Sequence, residues 1–264
     1  MVKSSSVNYW SDAACAKVFW SQHELPPYRE LLTDTSAWLE PLPLQRWLDL
    51  GCGSGQLTKE LWTKSRGRLA EVVGMDCAAV NETAYEKLRA HVQPRPAKDR
   101  LRFMTGDFST GLETWNDAYF DGVVSGLALQ YAESFSETTG RWTTTGYDRI
   151  LREVFRILRP GGQFVFSVNV PNPSWGKVAV KGLAGVFKAR RPLHFLKRAW
   201  RIWSYGSWLK RESRRGRFHY LPREVILQKL VRLGFVDTEH RTSFAGQAYI
   251  FRCRRPFAAL SAVA

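Results

Sequence analysis

A glycine-rich run, Gly51-Cys52-Gly53-Ser54-Gly55, is bracketed by acids at intervals that could build a ligand site. Glycines permit a tight turn and let a ligand approach the backbone with no Cβ in the way. N–H groups at the start of a following helix could hold a carboxylate or a phosphate. A dinucleotide loop would read G-x-G-x-x-G, with an acid about 20 residues further on. Here the loop reads G-x-G-x-G, and an acid, Asp49, precedes it. Asp76 closes the next apolar run, where it could accept from both hydroxyls of a ribose. Asp107 stands before Phe108, a pair able to accept from an adenine amino group and to pack against its ring. Three carboxylates suit a ligand with a cationic amino acid tail, a ribose and an adenine, and they would repel a pyrophosphate. Any one acid could be a helix cap or a surface residue, and the loop alone could be a plain strand–helix turn. The series of three points to a binding site.

The elements that must position these residues are legible as alternating apolar runs and helical patterns. Strands are expected at Arg46–Leu50, Glu71–Met75, Leu101–Thr105, Phe120–Ser125 and Gln163–Val168. Helices are expected at Gln56–Lys64 and Tyr147–Leu158, the latter ended by the turn signal Arg159-Pro160-Gly161-Gly162. Such alternation predicts an α/β fold, a doubly wound, Rossmann-like, mostly parallel sheet with helices on both faces, whose ligand corner is the first strand–helix turn. Residues 1–45 read as a helical cover broken at Pro26-Pro27, Pro41 and Pro43. Residues 46–169 form the core and 170–221 interrupt it as a basic, aromatic insertion. Residues 222–264 hold a helix at 223–233, closed by Gly234, and a terminal antiparallel hairpin of Phe235–Thr242 with Ala248–Cys253.

The runs LDLGCGSGQ, VVGMD, GDF, FDGVVSGLALQY and LREVFRILRPGGQFVFSV resemble, in order and spacing, the successive motifs of class I S-adenosylmethionine (SAM)-dependent methyltransferases. They are most similar to the methyltransferase type 11 branch of quinone-pathway and small-molecule enzymes. The resemblance covers roughly residues 40–170. It implies SAM as cofactor, with S-adenosylhomocysteine as product, and it distributes roles along the chain. Asp49 would meet the methionine ammonium, and Gly51 and Gly53 would make backbone contacts. Cys52 and Ser54 occupy variable loop positions, where only backbone contacts are expected. Asp76, followed by Cys77, would hold the ribose. Asp107 and Phe108 would meet the adenine, and Ser125, Gly126 and Leu127 would lie beside the methionine part.

Methyl transfer from a sulfonium is an in-line displacement with an activated leaving group. The protein has chiefly to align acceptor, methyl and sulfur and to exclude water. A general base is needed only where the acceptor must lose a proton. His219, in Arg217-Phe218-His219-Tyr220, is the first candidate, because the resemblance puts an aromatic–His element beside the acceptor and histidine titrates near neutral pH. The alternative is a histidine bonded to a backbone carbonyl. Tyr131 is the second candidate. His23, His91, His194 and His240 have weaker cases, and His91 and His240 read as surface residues. No metal site is expected, since Cys15, Cys52, Cys77 and Cys253 show no C-x-x-C spacing and read as reduced thiols.

The charge is unusual and local. The chain of 264 residues has 39 Lys+Arg and 24 Asp+Glu, a net +15. Residues 177–217 contain 13 of those bases and one acid, Glu212, so +12 sits there and +3 in the rest. Within it, 192–205 reads as a helix with Leu193, Leu196, Trp200 and Trp203 on one side and Lys197, Arg198 and Arg201 on the other. That pattern fits a helix lying in a membrane interface, or a lid over the site. Met1 to Trp10 carry no apolar run able to act as a signal peptide and no stretch approaches about 20 apolar residues, so the location is expected to be cytoplasmic, with peripheral contact of 177–217 with an anionic membrane. The expected partner is a small, lipophilic methyl acceptor such as a quinone, polyketide-like or lipid molecule. RNA methylation is the lesser alternative. Basic residues with interleaved aromatics suit nucleic acid, but no RNA-binding module is recognisable and the apolar arc is wide for a wet surface. A SAM-binding module without catalysis is a third reading.

Overall fold

The structure is a computed structural model and describes residues 8–20, 25–97, 99–174, 176, 178 and 206–257. The expected helix at 192–205, with His194 and the three bases on its polar side, lies outside the described residues, as does His23.

Alternation along the strands decides how the sheet is covered. In β1 (Arg46–Leu50), Leu48 and Leu50 pack into one hydrophobic layer and Trp47 into the other. In β2 (Glu71–Asp76), Val73 and Met75 share the first layer and Val72 the second. Val123 and Val124 divide in the same way in β4 (Phe120–Gly126), as do Phe164, Phe166 and Val165 in β7 (Leu158–Asn169). A strand buried on both faces must be apolar in both phases of its period, which is why these runs are continuous rather than alternating. With β3 (Leu101–Thr105) and the terminal strands β8 (Val236–Ser243) and β9 (Ala248–Arg254), the sheet has seven strands in the order β3-β2-β1-β4-β7-β9-β8. The first five are parallel; β9 pairs antiparallel with β7 and with β8. A two-stranded hairpin of β5 (Phe135–Ser136) and β6 (Arg141–Trp142) lies apart from it.

The helices supply complementary faces. Tyr147, Ile150, Leu151, Val154 and Ile157 of α5 (Thr145–Ile157) are all fully buried, at the spacing of a single helical stripe. Ile226 and Leu230 of α6 (Arg223–Arg232) join the same layer. On the opposite face lie Tyr28 and Leu31 of α2 (Pro26–Ala37), Leu57, Leu61 and Trp62 of α3 (Gln56–Lys64), and Tyr85 of α4 (Asn81–His91). Pro26 and Pro27 open α2, where a missing N–H costs nothing. Ahead of it α1 spans Ala13–Phe19. Burying each large apolar side chain stabilises by about 1.5–3 kcal/mol, so the two layers dominate folding. Gly122 of β4 makes room for one of them, since a Cβ there would come within 2.5 Å of the Trp47 ring.

One boundary differs from the sequence expectation. The Arg159-Pro160-Gly161-Gly162 run does not separate α5 from a strand beginning at Gln163. Helix gives way directly to strand at Leu158, and the run bulges within β7. Phe120 pairs with Leu158 while Gly122 pairs with Gln163. Gly161 takes φ +77 there, and Gly161 and Gly162 exchange backbone hydrogen bonds with Arg255. The tail of the chain satisfies the bulge, a long-range partner that no local signal encodes.

Candidate functional site

The carboxyl ends of β1, β2, β4 and β7 open into one cavity of about 220 Å³. The loop after β1 forms its first wall. Gly51 takes φ +71 and Gly53 φ +51, and a Cβ on Gly51 would lie 2.3 Å from that of Ala128. The loop therefore threads against the segment after β4 only because residue 51 has no side chain. The N–H groups of Gly51 and Cys52 donate to Met75 O, that of Gly53 to Asp76 and that of Gly55 to Cys52 O. These donors are spent within the protein.

Asp49 brings a buried carboxyl to the cavity wall. It leaves β1 on the α3 side, 1% exposed, and its Oδ2 accepts from the Thr58 N–H at 2.9 Å and the Thr58 hydroxyl at 2.7 Å. Its Oδ1 is buried without a hydrogen-bond partner. Burial pushes this carboxyl from 3.8 up to about 7, against the opposing Thr58 bonds. A buried carboxylate oxygen with nothing to accept from is a costly arrangement, and it fits a positively charged ligand group. Asp76 ends β2, with Oδ2 holding Gly53 N–H and Oδ1 holding Ala78 N–H, both at 2.9 Å. Burial also raises its pKa. It lines the cavity with Cys77, Asn81 and Phe108.

Of the sequence-predicted residues, Asp49, Gly51, Cys52, Gly53, Asp76, Cys77, Phe108, Gly126, Leu127 and Tyr131 line this cavity. Three do not. Ser125 is fully buried and donates to Leu50 O at 2.8 Å, tying β4 to β1. Asp107 caps the turn after β3 through the Ser109 N–H and hydroxyl, and takes the Asn8 amide on its other oxygen at 3.0 Å. His219 sits in the core, 5% exposed. Its Nε2 lies 3.1 Å from Ala132 O, its backbone N–H donates to Gln130 O, and its ring meets Tyr147 edge-on. Burial lowers its pKa, which holds the ring neutral. The structure therefore replaces the acceptor-facing histidine by one that anchors the Gln130–Ala132 turn carrying Tyr131. His91 and His240 are exposed.

Several lining residues had no sequence signal. Trp10, Ala16 and Trp20 come from the N-terminal segment, Tyr28, Leu31, Leu32 and Thr35 from α2, and Leu209 from the helical residues 206–214. The Trp20 indole donates to Asn81 at 2.6 Å, fixing the N-terminal segment over the loop side. Trp10 stacks 4.3 Å from Tyr131. Arg217 pairs with Glu133 at 2.9 Å and lies over the rings of Tyr9 and Trp142, joining three separate segments at the rim. The cavity lining combines acids and loop backbone with aromatic and aliphatic side chains.

Residues 48–166 match the Methyltransferase domain family. The chain is 27% identical over 163 residues to the demethylmenaquinone methyltransferase of Leptospira interrogans, covering 62% of this chain and 54% of that protein. It is 31% identical over 127 residues to 24-methylenesterol C-methyltransferase 2 of Oryza sativa subsp. japonica, covering 48% of this chain and 30% of that protein. The chain thus spans at most about half the length of these curated relatives. In fold it matches a chain of the complex that the Haloferax volcanii Trm112 methyltransferase activator forms with a proposed methyltransferase, with TM-score 0.62, 16% identity and coverage of 96% and 99%. It also matches a SAM-dependent methyltransferase from Mesorhizobium loti, with TM-score 0.51, 20% identity and coverage of 84% and 96%. Residues 48–166 thus match a methyltransferase domain, and the fold is the one seen in solved structures of SAM-dependent methyltransferases.

Proposed function

We propose that the protein transfers the methyl group of SAM to a small, lipophilic acceptor bound against the aromatic and aliphatic side chains of the cavity. The observation that carries this reading is the unpartnered, buried Oδ1 of Asp49, a residue lining a cavity whose other walls include aromatic and aliphatic side chains. A cationic amino acid tail would satisfy that oxygen, Asp76 would take the ribose, and Phe108 would pack on the adenine. Bound SAM supplies an electrophilic methyl on a sulfonium. Trp10, Leu31, Leu127 and Leu209 keep water away from the acceptor and orient it, which is most of what such a displacement requires. The quinone and sterol methyltransferases among the relatives support a lipophilic acceptor. Calorimetry with SAM, S-adenosylhomocysteine and NAD tests the cofactor: the first two bind one to one and NAD does not. NAD binding without SAM binding would overturn it. Release of S-adenosylhomocysteine from SAM with a reduced-quinone panel separates an enzyme from a silent SAM-binding module.

The net +12 of residues 177–217 supports a second element, peripheral contact with anionic lipid. Among the described residues no helix is long and apolar enough to cross a membrane. Flotation with anionic vesicles at low salt is the test. Binding that disappears as salt shortens the screening length to below about 8 Å supports the contact. Absence of binding at low salt returns the charge to RNA, to be probed by gel shift.

A further inference from the structure

Where β7 ends in the cavity wall, a polar group is buried without being satisfied. Asn169 is 1% exposed and lines the cavity, and its Oδ1 has no hydrogen-bond partner. Its backbone N–H is held by Gln130 Oε1 at 3.2 Å, so the residue is fixed in place. The phenols of Tyr131 and Tyr220 lie beside its carboxamide. The Tyr131 and Tyr220 hydroxyls are 3.3 Å apart, one donating to the other, and Ser167 Oγ accepts from the Leu127 N–H at 3.1 Å. Around this spot the wall is apolar: Trp10, Leu31, Leu57, Leu127 and Leu209.

We infer that Asn169 is the residue that selects the acceptor, and that the acceptor is a lipophilic molecule carrying a hydroxyl group that donates to Asn169 Oδ1. The inference deepens the reading of the cavity as a joint cofactor and acceptor site and rests on it. A buried carbonyl oxygen is destabilising while unpaired, so a ligand donor gains more here than at a solvated position. A ligand offering only an acceptor would meet the oxygen with like polarity and gain nothing. A site built to hydrogen-bond a hydroxyl discriminates against analogues lacking it, because the protein group is then left unpaired. The apolar wall binds the body of the molecule, and Asn169 sets its orientation relative to the methyl donor.

The test uses two probes of similar size, 2-naphthol (a donor) and 2-methoxynaphthalene (an ether with no donor). Both are titrated into the full chain saturated with S-adenosylhomocysteine, with tryptophan fluorescence and calorimetry as readouts. The ratio of their affinities should favour the naphthol in the parent, and Asn169→Leu should shift that ratio about 2- to 10-fold toward the ether, the span of one neutral hydrogen bond. Asn169→Asp, which keeps the acceptor oxygens, should retain the naphthol preference and serves if the leucine variant does not fold. Equal affinities for the two probes in the parent, no probe binding at all, or an unchanged ratio in a folded Asn169→Leu would each overturn the inference. Cofactor binding is read separately in the same titrations. If S-adenosylhomocysteine fails to bind while the Asn169-dependent preference persists, the methyltransferase reading fails and the assignment of Asn169 stands.

Discussion

Asp49→Asn separates the cost of holding a buried carboxylate from its benefit to the ligand. The substitution keeps the side-chain shape and an oxygen for both Thr58 bonds. In the protein without ligand, burial pushes the Asp49 carboxyl from 3.8 to about 7. A carboxyl raised on folding contributes stability that is fully present below its unfolded pKa and is lost as pH rises through the folded one. Between pH 5 and pH 8, linkage for this one group removes about 2–3 kcal/mol from the parent, and the Asp49→Asn variant lacks that loss. Urea denaturation of both proteins at pH 5, 6, 7 and 8 should therefore show the variant gaining on the parent as pH rises. Calorimetry with S-adenosylhomocysteine should show the opposite effect. Losing a hydrogen bond to a charged group costs about 1.5–3 kcal/mol, or about 10- to 150-fold in affinity. The parent's affinity should also fall as pH drops below about 7, while the variant's stays flat through that pH window. A stability difference independent of pH, together with undiminished cofactor binding, would refute the argument.

Asp76→Ala should weaken S-adenosylhomocysteine binding by about 1.5–3 kcal/mol. It should also raise amide hydrogen exchange at Gly53 and Ala78, whose N–H groups lose their acceptor; binding equal to the parent's would remove Asp76 from the ribose. Gly51→Ala should abolish cofactor binding in calorimetry because its Cβ meets Ala128, whereas Gly53→Ala, with open space around its Cβ, should carry only the left-handed backbone strain of about 1–2 kcal/mol. Equal loss in both would mean that the approach of loop and strand end is not the constraint. His219→Ala should destabilise the fold and leave no signature of a lost base in the rate–pH profile. Since burial lowers the His219 pKa, its contribution is present above the unfolded value of 6.5 and lost as pH falls below it, so the parent's stability should decline on acidification more than the variant's. A rate loss of about 100-fold or more at full stability would restore His219 as a general base.

Along the chain, the elements of the sheet were legible because their signals are local. Strands buried on both faces must be apolar in both phases, and Arg46–Leu50 and Phe120–Gly126 stand where such runs stand. The Gln56–Lys64 helix follows its stripe of Leu57, Leu61 and Trp62. The acids at the ends of β1 and β2 and the glycines between them are legible for a related reason, since a ligand at a strand–helix corner needs those residue types at those spacings. Tertiary structure decided whatever depends on distant partners. Whether an acid faces a ligand or caps a turn depends on its rotamer and neighbours, and Asp107 is bound by Ser109 and Asn8. Ser125 and His219 are drawn into the core by Leu50 O and Ala132 O, two carbonyls that no spacing rule connects to them. The aromatic and aliphatic lining of the cavity is assembled from the N-terminal segment, α2, the turn after β4, the end of β7 and the helical residues 206–214. Asn169 looks like any strand-end residue in the sequence. Only packing, by burying its amide oxygen opposite nothing, gives it something to recognise.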